Sequence, residues 1–201
     1  AMQKAVPVGE GAMAALLGVS LDVAQKVAEA AAQGDVCQVA NDNDPTQVVL
    51  SGHKRAIDRV AEAGKPFGVR RAVPLPVSAP FHCALMQPAA DAMAEALSGV
   101  EIKVPAVPVV ANVLALAISD PEEIRKRLVE QVTGTVRWRE SVLYMAQQGI
   151  TQAYEIGAGK VLSGLIGRIE KSIRTAPIGT PDDIAANLGA RVIETPFPGF
   201  A

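Results

Sequence analysis

Between Ala12 and Leu75 the chain alternates four short apolar runs with two amphipathic stretches, and this order limits the fold more than any other feature. Ala12–Val19 reads as a buried strand ending near Gly18. Ser20 is placed to cap a helix over Leu21–Gln33, with Val23, Val27 and Ala31 at helical spacing and Gly34 just past its end. Asp35–Ala40 is a second strand, and Asn41-Asp42-Asn43-Asp44-Pro45 is dense in turn residues. Gln47–Leu50 is a third strand. Ser51 or Gly52 opens a helix over Lys54–Gly64, and Val69–Leu75 is the fourth strand. The order β-α-β-β-α-β is the ferredoxin-like arrangement, two helices covering one face of a four-stranded antiparallel sheet.

From Met86 onward the pattern changes. Met86–Leu97 reads as an Ala-rich amphipathic helix and Val107–Val113 as a buried strand. Ser119-Asp120 precedes a helix at Pro121–Gln131, with Pro at the first helical position. Helices at Ser141–Gln148, at Lys160–Glu170 and after Thr180 alternate with strands at Gln152–Ile156 and Ala176–Ile178. Such alternation implies a parallel sheet with helices on its faces, hence an α/β region. About three recognisable strands are too few for those helices, so further strands are expected from elsewhere. The Pro- and Phe-bearing tail 195–201 is expected to wrap the surface or to be mobile.

Composition removes several functions. The formal net charge is −2, which argues against a general nucleic-acid binder. Two cysteines, Cys37 and Cys83, make no disulfide framework, and no Cys/His cluster with metal-site spacing surrounds His53 or His82. The most apolar stretch, Val104–Ile118, is too short for a bilayer and is broken by Pro and Asn, and the N-terminus has no secretory pattern. A cytoplasmic setting, with no membrane contact, is the expectation.

His82, on a loop after the fourth strand, is the leading candidate for chemistry. It is either a general base working near neutral pH or a surface and capping residue. Cys83 is a poor partner because adjacent side chains seldom face one another, and Ser51 and Ser78 read as caps. Asn41 and Asn43, two apart, are placed to offer amides to one polar ligand or to build a turn. Gly157-Ala158-Gly159-Lys160 lies between a strand and a helix, as a phosphate cradle does, but it lacks either full fingerprint and reads better as a tight turn. Lys54, Arg55, Arg59, Lys65, Arg70 and Arg71 against Asp58 and Glu62 give residues 54–71 a local +4. That segment is a solvated helix face or a docking patch for an anionic partner, with Arg70 and Arg71 best placed to meet phosphate.

The segments MQKAVPVGEGAMAALLG, VANDNDPTQVVLSGH, LPVSAPFHCALMQPAADAMAEAL, PVVANV and YEIGAGKVLSGL, in this order, closely resemble malonyl-CoA:acyl carrier protein transacylases from Met2 to about Leu188. The resemblance implies an α/β-hydrolase-like large subdomain, incomplete at its N-terminus, with the ferredoxin-like unit inserted. The bounds that follow are 1–10 for a remnant of the large subdomain, 11–76 for the insert, 77–194 for the large subdomain and 195–201 for the tail. It also implies malonyl transfer from coenzyme A to a serine and then to the phosphopantetheine thiol of acyl carrier protein, as in fatty acid synthesis, with a coenzyme A thioester as substrate and no resident cofactor. By the same resemblance His82 is the base, steadied by the backbone carbonyl of Gln131. Asn41 and Asn43 line the coenzyme A cleft, Arg70 and Arg71 lie near its phosphates, and Phe81 crowds an α-methyl branch so as to favour malonyl.

The family's oxyanion loop, nucleophilic serine and malonate-gripping arginine precede the matched region, so this stretch alone is expected to be inactive. Pro45-Thr46-Gln47 stands where the family commonly has Pro-Gly-Gln, which questions any turn needing a positive φ at Thr46. Ala158 stands at a family proline. Two other readings are a non-catalytic ferredoxin-like module docking an acidic carrier protein and an acyltransferase fragment of a polyketide synthase.

Overall fold

The computed structural model describes residues 1–188, so the tail 195–201 lies outside the described residues. The chain divides into two compact units, Ala1–Met145 and a second beginning at Ala146.

In the first unit a one-turn helix α1 (Met2–Ala5) precedes β1 (Gly11–Leu17), α2 (Leu21–Ala32), β2 (Cys37–Asp44), β3 (Gln47–His53), α3 (Lys54–Gly64) and β4 (Arg71–Pro74). The four strands form one antiparallel sheet in the order β2-β3-β1-β4. The β-α-β-β-α-β order read from hydrophobic periodicity is therefore present. Ser20 accepts a hydrogen bond from the Val23 amide and starts α2, as its position predicts.

Alternation along the strands sorts residues onto two faces. Leu16, Val48 and Leu50 point to the face covered by α2 and α3, where they pack with Val27, Ala31, Ile57 and Val60. Met13, Ala15, Ala40 and Val49 form a second cluster on the opposite face, joined by Leu17, Leu75 and Phe81. Each fully buried Val or Leu contributes roughly 1.5–3 kcal/mol. Gly52 is fixed by proximity, since a Cβ there would lie 1.9 Å from the Val36 carbonyl oxygen. Gly52→Ala is expected to lower unfolding free energy by about 1–3 kcal/mol, read as a shifted denaturant midpoint at unchanged slope.

Asn41 to Asp44 are strand, not loop. Only Pro45 and Thr46 turn, and Asp44 Oδ1 closes that turn by accepting from the Thr46 amide at 2.8 Å and its hydroxyl at 2.9 Å. Thr46 keeps a negative φ and adds a hydroxyl donor, so the loss of the family glycine is accommodated. Asn and Asp are poor strand formers, but this segment is paired on both sides. Beyond β3, the Asp42 amide donates to Val136 O (2.9 Å) and the Val136 amide to Ala40 O (2.8 Å), so tertiary pairing overrides propensity.

Most of the basic run at 54–71 is paired. Arg55 and Arg59 both bind Asp35, whose carboxyl their hydrogen bonds hold below the usual carboxylate range. Lys54 meets Asp58, and Lys65 meets Glu62. Arg70 and Arg71 are exposed and have no ion pair among the described residues.

The first unit continues through α4 (Gln87–Ser98), β5 (Val109–Ala111), β6 (Leu116–Ile118), α5 (Pro121–Glu130) and all but the last two residues of α6 (Trp138–Gln147). The expected buried strand at 107–113 is instead β5, three residues long and antiparallel to β6, with Val109 45% exposed. Pro108 delays the strand's start, and the turn at 112–115 ends it. In the second unit, β7 (Gln152–Ile156), α7 (Val161–Ile169) and β8 (Arg174–Ile178) make a parallel strand–helix–strand unit followed by α8 (Pro181–Leu188). No helix among the described residues is long and apolar enough to cross a membrane.

Candidate active site

The loop from β4 to α4 carries His82 and is held at several points. Pro80 is fully buried, and its ring packs where a Cβ on Gly11 would stand (2.3 Å), so a glycine at the start of β1 makes room for it. The Cys83 thiol donates to Pro80 O at 3.1 Å, and the Ala84 amide donates to Gln38 Oε1 of β2 at 2.7 Å. Between these anchors His82 has φ +57°, a left-handed conformation uncommon outside glycine. A strained backbone fixed by its surroundings is typical of sites where one side chain must be aimed.

The ring is aimed at α5. Asp120 caps that helix through the Glu123 amide (2.8 Å), Pro121 takes the first position, and Glu122 and Glu123 suit the positive end of the helix dipole. At the other end Gln131 is the C-cap, where helix carbonyls lack intrahelical partners. Its carbonyl oxygen lies 2.8 Å from His82 Nδ1. A carbonyl only accepts, so Nδ1 carries the proton and Nε2 presents a lone pair, the form a general base needs. The negative end of α5 thus faces a ring that turns cationic on taking a second proton.

Asn112, at the turn between β5 and β6, donates from Nδ2 to Gln131 Oε1 at 2.8 Å. Its own carbonyl accepts from the Arg137 amide at 2.9 Å. Neither Asn112 nor Gln38 was singled out by the sequence. The available signals were an amide ending the apolar run PVVAN and a Gln among the apolar residues of a strand.

Of the remaining candidates, Asn41, Arg71 and Phe81 lie on the face of the four-stranded sheet opposite α2 and α3, while Arg70 precedes β4. Asn41 opposes Val49 and Arg71 opposes Leu17, and cross-strand partners share a face. Asn41 and Asn43 are half-exposed while Asp42 and Asp44 are buried, and Asn43 sits at a register shift of β2 against β3. Phe81, half-buried, packs on the apolar cluster of that face and also against Val6, Ala79, Met86 and Val132. Arg71 and the asparagines occupy opposite edges of the sheet, on β4 and β2.

Other candidates are structural. Burial pushes the Cys37 thiol up to about 11 and also raises Cys83, so neither is a thiolate at neutral pH. At residues 157–160 the Glu155 carboxylate accepts from the Leu162 (3.0 Å) and Ser163 (2.7 Å) amides, filling the α7 N-terminus that a phosphate would need. Among the described residues no group of His, Cys, Asp and Glu could hold a metal ion.

No family model matches the chain. Across 93% of its length the chain is 46% identical to the malonyl CoA-acyl carrier protein transacylase of Escherichia coli, of which it spans 60%. Its fold superposes on the acyl-carrier-protein S-malonyltransferase of Bartonella henselae with a TM-score of 0.88 at 49% identity, covering 94% of this chain and 60% of that one. A malonyl-transacylase solved in complex with its type II PKS acyl-carrier protein matches with a TM-score of 0.88 at 42% identity, covering 94% of this chain and 61% of that one. The chain thus spans about 60% of the length of the curated relatives it matches. By sequence and by mixed α/β fold, it is a homologue of the malonyl CoA-acyl carrier protein transacylases over that stretch.

Proposed function

We propose that this chain supplies the general base and part of the substrate cleft of a cytoplasmic malonyl-CoA:acyl carrier protein transacylase. The observation that carries the reading is the 2.8 Å bond from His82 Nδ1 to Gln131 O, which leaves Nε2 free to accept a proton. In the first half-reaction Nε2 takes the proton of a serine hydroxyl as its oxygen adds to the malonyl thioester carbonyl. Collapse of that adduct expels the coenzyme A thiolate, which takes the proton back from the ring. In the second, Nε2 takes the proton of the carrier's phosphopantetheine thiol. The thiolate attacks the malonyl ester, and the serine oxygen leaves with that proton. The resemblance puts the serine in the part of the relatives that this chain does not match.

On the same reading the β1–β4 unit is a ferredoxin-like insert in an α/β-hydrolase-like large subdomain, and the sheet face opposite α2 and α3 carries the coenzyme A arm. Asn41 and Asn43 meet the ligand's amides, Arg70 and Arg71 its phosphates or the acidic carrier, and Phe81 the acyl group. The placement of Asn41, Arg71 and Phe81 on one face supports this, because one extended ligand can reach both edges of the sheet. That the relatives in both comparisons are transacylases favours an enzyme over a binding module.

The test is a chimera joining this chain to the portion of the Escherichia coli relative that it does not match. It is expected to move malonyl from malonyl-CoA to acyl carrier protein, whereas the chain alone accepts no stable malonyl group. A chimera that folds but transfers nothing overturns the reading. Arg70→Glu with Arg71→Glu is expected to weaken carrier binding and flatten its salt dependence, measured by titration calorimetry at two ionic strengths.

A further inference from the structure

We propose that Asn112 is a positioning residue for His82, acting through the side chain of Gln131. The inference rests on His82 being the base, and it concerns what keeps that base aimed. His82 has φ +57°, so its loop alone does not favour the observed orientation. What fixes the ring is one acceptor, the Gln131 carbonyl, 49 residues along the chain. That carbonyl belongs to the C-cap residue of α5, followed by the turn residues 132–133. Helix ends are where a peptide plane tilts most readily. A tilt there would carry the acceptor out of line with Nδ1.

Asn112 holds this residue by its other end. Its Nδ2 donates to Gln131 Oε1 at 2.8 Å, with both side chains half-buried. Asn112 itself is a firm anchor. Its carbonyl takes the Arg137 amide at 2.9 Å, and the Arg137 guanidinium donates to the next two carbonyls, Val113 O (3.3 Å) and Leu114 O (3.1 Å). Arg137 in turn is paired with Glu140, so the turn at 112–115 is tied to the start of α6. The line from α6 through the β5–β6 turn to the C-cap of α5 ends at the imidazole. Gln131 thus works twice: its main chain accepts from the ring, and its side chain sets where that main chain sits.

The test uses the 201-residue chain and the Nδ1 proton of His82 as the probe, its resonance identified by its loss in His82→Ala. Asn112→Ala removes the donor, and Gln131→Met removes the acceptor while keeping the main-chain carbonyl and the side-chain length. Each is expected to speed exchange of the Nδ1 proton with water by roughly three- to tenfold, the effect of losing one hydrogen bond. The double variant is expected to match either single one, since both delete the same link. Asn112→Asp restores slow exchange once the Gln131 amide turns over to donate. The Arg137 amide, bonded to the Asn112 main chain, stays protected in all of them and reports that the turn is still folded. Exchange unchanged in Asn112→Ala, or accelerated only together with the Arg137 amide, overturns the inference. Failure of the base reading itself shows elsewhere, as full transfer by a His82→Ala chimera.

Discussion

His82→Ala in the chimeric transacylase is expected to lower malonyl transfer by about 10²–10⁴-fold, the usual contribution of a positioned general base. The loss should fall on both half-reactions, because in the proposed mechanism the same Nε2 serves the serine hydroxyl and the carrier thiol. Binding of malonyl-CoA should change little, since among the described residues the ring bonds to Gln131 rather than to groups on the sheet face. Rapid-quench measurement of serine acylation separates these effects. A His82→Ala protein that acylates within threefold of the parent would remove the imidazole from the mechanism. His82→Gln is the sharper variant, because its amide can still donate to the Gln131 carbonyl while offering no basic nitrogen.

Arg139→Ala is expected to destabilise the first unit by about 3 kcal/mol, the lower end of the range for breaking a buried ion pair. Asp42 is 1% exposed on β2, and Arg139 Nε reaches Oδ1 and Oδ2 at 3.1 and 3.0 Å with Nη2 at 2.8 Å from Oδ2. Without the guanidinium a carboxylate is stranded among packed side chains. Arg139 is 27% exposed, so water entering its place recovers part of the cost. Because the pair joins residues 97 apart, its loss also loosens the docking of β2 on the segment around Val136. Asp42→Asn with Arg139→Met is expected to be far milder, since no buried charge remains. Guanidinium unfolding of the three proteins checks this. A loss below 1 kcal/mol in Arg139→Ala would show that Asp42 is adequately solvated.

The sheet was legible because its signals are local and agree with one another. Ser20, the apolar spacing of Leu21 to Ala31, and the runs in β1 and β3 each specify the same element without help from distant residues. Asp120 with Pro121 fixed the start of α5 in the same way. Asn41 to Asp44 failed as a loop because their strand state is imposed by Val136 and Arg139, nearly 100 residues away, which no local preference encodes. The run at 107–113 failed because apolar content alone does not distinguish a central parallel strand from a short, half-exposed hairpin. His82 was conspicuous as a loop histidine, yet its bond to Gln131 followed only from the family resemblance. Asn112 went unnoticed, since a lone amide at a turn looks like turn chemistry until its partner is seen.

The most direct measurement is the ring nitrogen spectrum of the unmodified chain above the titration range of histidine. The chain has only two histidines, and they are held as opposite tautomers. His53 Nδ1 accepts from the Val36 amide at 2.9 Å and so keeps its proton on Nε2, whereas His82 keeps its proton on Nδ1. Long-range proton–nitrogen correlations should therefore show one histidine of each kind, with the Nδ1–H form vanishing in His82→Ala. Two Nε2–H histidines, or an evenly mixed His82, would contradict the account, because the nitrogen proposed to take the proton would already hold one.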